Sequence, residues 1–168
     1  PLRRRLIITL SMTRVVEYLL ELIKEENYEE IEPIYDKDKP VKSTNDMFPW
    51  FTGKPCEHTK KSHINMCVYD STWESSHAYH LDKNKKVQAW VKNDHLGFEI
   101  LYLFKGIVKK YRPDYIIKID EKEFVILETK GKITEMDKAK QAAAEEWTRG
   151  INNTKKFGTW QYKLSNDP

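Results

Sequence analysis

The chain has 168 residues, 39% hydrophobic and 33% charged, with a formal net charge of +3. That length supports one domain with a substantial core, and the composition excludes a disordered, collagen-like or disulfide-scaffold chain. The modest positive charge permits a nucleic-acid partner without demanding one, and no apolar run approaches the ~18–20 residues that span a bilayer.

The chain starts at Pro1 and not at a methionine, as a fragment of something longer would. Residues 6–10 (LIITL) are too short for a secretory core, and no cleavage-like site follows. Residues 12–30 read as a helix, because Val15, Val16, Leu19, Leu20 and Ile23 recur at three- and four-residue spacing and Pro33 closes the run. A polar connector with Pro40, Pro49, Gly53 and Pro55 follows, anchored by Phe48, Trp50 and Phe51. It reads as a strap across the domain surface. Cys56 and Cys67 make no disulfide framework and suit a reducing cytoplasm. Together with His58 and His63 they could bind zinc, but the spacing matches no compact knuckle. Small packing cysteines and polar histidines account for the same residues. This divides the chain into a helix and strap, 1–69, and a core, 70–168.

The core begins with a short helix over 72–81, then a short strand over 87–91. Residues 98–104 (FEILYLF) are apolar on both faces and predict a central strand. YIIKI, 115–119, is the next strand, expected to begin a few residues earlier. Asp120–Lys122 form a turn, and 124–130 (FVILETK) return antiparallel until Gly131 breaks the run. Thr134 then offers an N-cap with Asp137 in capping-box spacing. A helix runs from there to about Gly150, with Ala139, Ala142, Ala143 and Trp147 on its packing face, and 159–164 (TWQYKL) form a last strand. The predicted fold is α/β, a central mixed sheet flanked by helices.

The hairpin carries the chemistry. It places Asp114 just inside one strand and Glu128-Thr129-Lys130 at the end of its neighbour. Glu128 and Lys130 are two apart and share a strand face, with Thr129 pointing the other way, into packing. Hard cations such as Mg²⁺ use one or two carboxylates with phosphate and water, and the Thr129 carbonyl could add an oxygen. A lysine beside them can orient a water and offset charge on phosphorus. Two carboxylates without a cation would repel a phosphate, so the metal is part of the reading. An acid-x-Lys triplet alone is a weak signal, since such pairs on solvated strands usually do little. Here both acids cap strongly apolar strands.

Pro113-Asp114 with Glu128-Thr129-Lys130 resembles the signature of the PD-(D/E)xK nuclease superfamily. The likeness extends further. VYDSTWE at 68–74, AWVKNDHLGFEI at 89–100, YRPDYI at 111–116, LETKG at 127–131 and AAAEEWTRGIN at 142–152 look like the C-terminal nuclease region of type III-like restriction enzymes, the Res subunit class. The strap at 47–65 resembles the segment preceding that nuclease, so most of the chain from about residue 12 is covered.

The resemblance implies a restriction-endonuclease-like αβββαβ core that hydrolyses double-stranded DNA with Mg²⁺ or Mn²⁺, leaving 5′-phosphate and 3′-hydroxyl ends. Asp114 and Glu128 would hold the metal with Thr129, and Lys130 would help the attacking water. In many such enzymes an acid on the first helix joins the site. Glu74 occupies that place, although Ser71 and Glu74 are also spaced as a capping box. Lys140 and Gln141, on the second helix away from the alanines, suit either the site, a DNA phosphate or a solvated face. In that family the nuclease follows an ATP-consuming helicase motor, and recognition usually sits on a methyltransferase partner. The sequence has no phosphate loop, so any motor is expected upstream of Pro1. The rival readings are a repair nuclease or junction resolvase on the same fold, and a degenerate nuclease fold kept for DNA binding or docking.

Overall fold

Consecutive apolar residues in YIIKID and EFVILET make two strands whose opposite faces both need cover, and the molecule is layered around them. The computed structural model describes residues 11–22 and 43–166. Residues 11–22 are helical (α1). A 3₁₀ turn at Thr44–Asp46 leads to β1 (Cys56–His58) and β2 (Met66–Val68), then α2 (Thr72–Lys83) and β3 (Ala89–Lys92). Next come β4 (Ile100–Phe104), β5 (Ile107–Tyr111), β6 (Tyr115–Asp120), β7 (Glu123–Thr129), α3 (Glu135–Thr154) and β8 (Thr159–Ser165).

The central sheet has four strands in the order β3-β6-β7-β8. β3, β6 and β7 run antiparallel, and β8 joins β7 in parallel after the α3 crossover. α2, these strands and α3 together follow the αβββαβ order, and the α/β class with a mixed, helix-flanked sheet is as expected. Tyr115 and Ile117 face α2 in one cluster with Ala78, Leu81 and Trp90. Ile126 faces α3 in the other, with Ala144, Ile100, Tyr102 and Tyr111. Tyr115, Ile126 and Ala144 are completely buried. Burying a side chain the size of Ile126 contributes about 1.5–3 kcal/mol.

The expected central strand at 98–104 is instead one arm of a separate two-stranded ribbon, β4–β5. Its inner residues Ile100 and Tyr102 are buried, while Leu101 is 62% exposed. Lys105 (φ 53°) and Gly106 (φ 74°) make the two-residue turn with both φ positive, the geometry that suits a tight hairpin. The ribbon is an insertion between the first and second strands of the sheet.

The later part of the strap, from Cys56 on, is built into the fold, whereas the expected anchors Phe48 and Phe51 are exposed. Cys67 and Tyr69 share the α2 cluster with Trp90 and Tyr115, so a boundary between residues 69 and 70 runs through that cluster. Asp82 fastens it, accepting hydrogen bonds from the Lys60 and Lys61 amides at 2.7 and 3.1 Å and from the Trp90 indole at 2.8 Å. By contrast, the α1 stripe is largely uncovered, with Val15 and Leu19 exposed. The predicted continuation through Ile23 to residue 30, with Pro33 and Pro40, lies outside the described residues.

α3 has the predicted capping box between Thr134 and Asp137. It passes through buried Gly150 and ends at Thr154, with Lys155 left-handed. Asn152 ties this last turn to β8, accepting from the Trp160 amide at 2.7 Å and donating to its carbonyl at 2.9 Å. The packing face is rotated from the expected one. Ala139, Ala143 and Trp147 do pack on the core, but Ala142 is exposed and Ala144 takes the central place. At Gly158 (φ 79°) a Cβ would lie 2.5 Å from the Lys122 carbonyl oxygen, so this turn into β8 requires glycine. Among the described residues no helix is long and apolar enough to cross a membrane.

Candidate functional site: a carboxylate pair on adjacent strands

Tyr115 pairs with Leu127 in the β6–β7 register, which carries Asp114 and Glu128 to facing positions one step further on. Pro113 is fully buried and lacks an amide proton. β6 accordingly begins only at Tyr115, and Asp114 lies just before the strand and not inside it. The Asp114 backbone carbonyl accepts from the Asn93 amide at 2.8 Å. Its carboxylate Oδ2 accepts from the Thr129 amide at 2.8 Å and the Thr129 hydroxyl at 2.7 Å. Thr129 therefore does not point into packing. At the strand end its hydroxyl meets a carboxylate in place of an apolar neighbour, and it orients Asp114.

Glu128 is 4% exposed. Tyr111 donates its hydroxyl to Oε2 at 2.7 Å, and Lys130 Nζ lies 3.2 Å from Oε1. Burial pushes the Glu128 carboxyl above its ordinary value, and the nearby Asp114 charge adds to this, while Tyr111 and Lys130 pull the other way. Burial alone would lower the Lys130 ammonium, but the Glu128 and Asp114 carboxylates outweigh it and hold the group protonated.

Lys140 does not sit on a remote helix face. It lies one turn before buried Ala144, with Nζ 5.5 Å from the centre of the Tyr111 ring and 3.7 Å from Asp137. Gln141 instead donates to Glu145 at 2.9 Å, along the exposed helix surface.

Glu74 opens α2 with Ser71 as N-cap, its amide donating to the Ser71 hydroxyl at 3.3 Å. The reciprocal bond differs from a strict capping box, because the Glu74 carboxylate accepts from the Asp70 amide at 2.8 Å. The same oxygen pairs with Lys92 at 2.8 Å. Burial would lower the Lys92 ammonium, and Glu74 and Asp94 outweigh it. Glu74, Lys92, Asp94, Arg112 and Asp114 line an open cleft of about 540 Å³. Glu74 and Asp114 thus line one cleft, and Asp114 is also opposite Glu128, which lies on the Ile126 face of β7.

The donors suit a hard cation. Two facing carboxylates, one raised by burial and by its neighbour's charge, would be relieved by a divalent ion. Among the described residues no three His, Cys, Asp or Glu side chains converge as a ready-made cage. A cation at Asp114 and Glu128 would complete its shell with water, backbone or phosphate oxygens. A zinc set of Cys56, His58, His63 and Cys67 fails on register. Cys56 and His58 share one face of the β1–β2 ribbon, whereas Cys67 pairs with Glu57 and so points to the other. Cys67 is buried in the core and Cys56 is exposed.

Sequence reasoning missed Tyr111, the Thr129 hydroxyl and Lys92. The first two flank motif residues, but nothing in an apolar-looking run marks which hydroxyl will meet a carboxylate. Comparison with family models, curated proteins and solved structures gave no match.

Proposed function

We propose that this chain is a metal-dependent endonuclease domain of the PD-(D/E)xK type that hydrolyses phosphodiester bonds in double-stranded DNA. The observation that carries the reading is the facing placement of Asp114 and Glu128 at the β6–β7 edge, with Lys130 3.2 Å from Glu128, within an αβββαβ order. Like charges directly opposite on neighbouring strands destabilise a sheet, so a facing acid pair with one member buried supports a functional reading.

Asp114 and Glu128 would hold Mg²⁺ or Mn²⁺. When bound, such an ion lowers the pKa of water and neutralises developing phosphoryl charge. Thr129 fixes Asp114 through two hydrogen bonds, and Tyr111 fixes Glu128 through one. Lys130 supplies a protonated ammonium to orient the attacking water and offset charge on phosphorus. Glu74 is first the partner of Lys92, and a role at the metal requires that pair to open.

By resemblance, the domain works in the cytoplasm within a type III-like restriction system. There it is linked to a helicase motor that uses ATP and is directed by a methyltransferase partner. The test combines cation titration by calorimetry with cleavage of duplex DNA. Asp114→Asn and Glu128→Gln should lose both cation binding and cleavage. Lys130→Ala should lose cleavage and keep cation binding, since an ammonium is no ligand. Equal loss of Mg²⁺ affinity in Lys130→Ala contradicts that division of roles.

A further inference from the structure

We infer that Arg112 and Lys110 form a binding subsite for a DNA phosphate flanking the scissile one, and that Glu99 occupies this subsite when no DNA is bound. The inference rests on the nuclease reading for the nature of the ligand. Arg112 Nε and Nη2 donate to Glu99 Oε1 at 3.0 and 2.7 Å, and Lys110 Nζ lies 2.8 Å from Oε2. Three donors on two cations thus converge on one anionic group, as charge-assisted recognition of a phosphate requires. The cationic side chains are 70% and 54% exposed, so an incoming anion can reach them.

Position supports the assignment. Arg112 lines the cleft that contains Asp114, and two residues of extended chain span at most about 7 Å. The rest of that cleft is strongly acidic, with Asp70, Glu74, Asp94 and Asp114, and Lys92 is tied to Glu74 and Asp94. A nucleic-acid strand entering beside these acids needs a cation whose partner can be exchanged, and Arg112 meets that need. The residues from Ile100 to Arg112 carry Lys105, Lys109, Lys110 and Arg112 and no acid. The β4–β5 ribbon is therefore a basic arm rooted at the site through Tyr111. Lys110 and Arg112 hold the Glu99 carboxyl down to about 2, so Glu99 is ionised near neutral pH and competes with an incoming phosphate for both cations.

The experiment is fluorescence anisotropy of a labelled DNA duplex, without divalent cation, over a salt series. It reads binding and not cleavage, so a failed nuclease reading and a failed subsite are told apart. Glu99→Gln should bind about three- to tenfold tighter, the range for freeing one or two exposed ion pairs. Glu121→Gln makes the same charge change at the far end of the β6–β7 hairpin and should not. Arg112→Gln and Lys110→Gln should each weaken binding and flatten the log–log salt slope, by up to about 0.9 for the one phosphate they share. Ile100, Tyr102 and Tyr111 anchor the ribbon, so all four variants should melt as wild type does. The subsite is overturned if Glu99→Gln binds no tighter than Glu121→Gln. It is equally overturned if both cation variants keep wild-type affinity and slope, or if neither wild type nor Glu99→Gln binds duplex DNA.

Discussion

Replacing Tyr111 by Phe removes one hydroxyl and keeps a ring that is only 2% exposed. That hydroxyl donates to buried Glu128 at 2.7 Å. Hydrogen bonds to charged groups contribute about 1.5–3 kcal/mol, and those to neutral groups about 0.5–1.5 kcal/mol. The loss should therefore depend on the charge of Glu128. Its carboxyl is raised in the folded protein, so folding disfavours the ionised form. This unfavourable contribution is absent below the ordinary carboxyl range and grows as pH rises through the folded-state value. The hydroxyl is one of the groups that lower that value, so removing it raises the carboxyl further. Tyr111→Phe should therefore cost about 1.5–3 kcal/mol near pH 8 and less near pH 4. In urea the midpoint should fall by about 1 M at the higher pH. In a Glu128→Gln background the pH dependence should vanish. Equal losses at both pH values, or a double-mutant coupling near zero, would refute the assignment of this contact as the support of an ionised Glu128.

Glu128→Gln itself should stabilise the metal-free protein at pH 8, because it removes a desolvated charge. The gain should disappear as pH falls below the ordinary carboxyl range, and paired thermal melts at pH 4 and 8 read it directly. Glu74→Gln should keep the Asp70 amide contact and lose the Lys92 pair, costing about 1–3 kcal/mol in urea unfolding. Cleavage by the folded variant should persist, and its abolition would make Glu74 a metal ligand. Burial pushes the Cys67 thiol up to about 12, leaving a thiolate fraction on the order of 10⁻⁴ at pH 8. A thiol reagent should modify exposed Cys56 in the native protein and Cys67 only after denaturation.

The features legible in the sequence are those set by neighbours along the chain. The Thr134–Asp137 capping box, the turn after Asp120 and the pairing of the strands on either side follow from local chemistry. The facing of Asp114 and Glu128 was legible because a hairpin fixes register. The β4–β5 ribbon was misplaced because FEILYLF carries apolar side chains on both faces, and periodicity alone cannot say whether a neighbouring strand or a helix covers them. Its Lys105-Gly106 turn was the available signal. The strap looked peripheral because β1 and β2 are three residues each. Its burial comes from distant contacts, Cys67 against the α2 cluster and Asp82 to the Lys60 and Lys61 amides. The bonds of Thr129 and Tyr111 to the two acids depend on side-chain directions at strand ends, which two-residue alternation no longer governs.

The most direct test of the central claim is cleavage of duplex DNA with Mg²⁺, comparing wild type with Asp114→Asn under conditions where both are folded. The account predicts nicked or linear product from wild type, none after chelation by EDTA, and none from Asp114→Asn at any Mg²⁺ concentration. Cleavage by folded Asp114→Asn at the wild-type rate, or wild-type cleavage that survives EDTA, would contradict it.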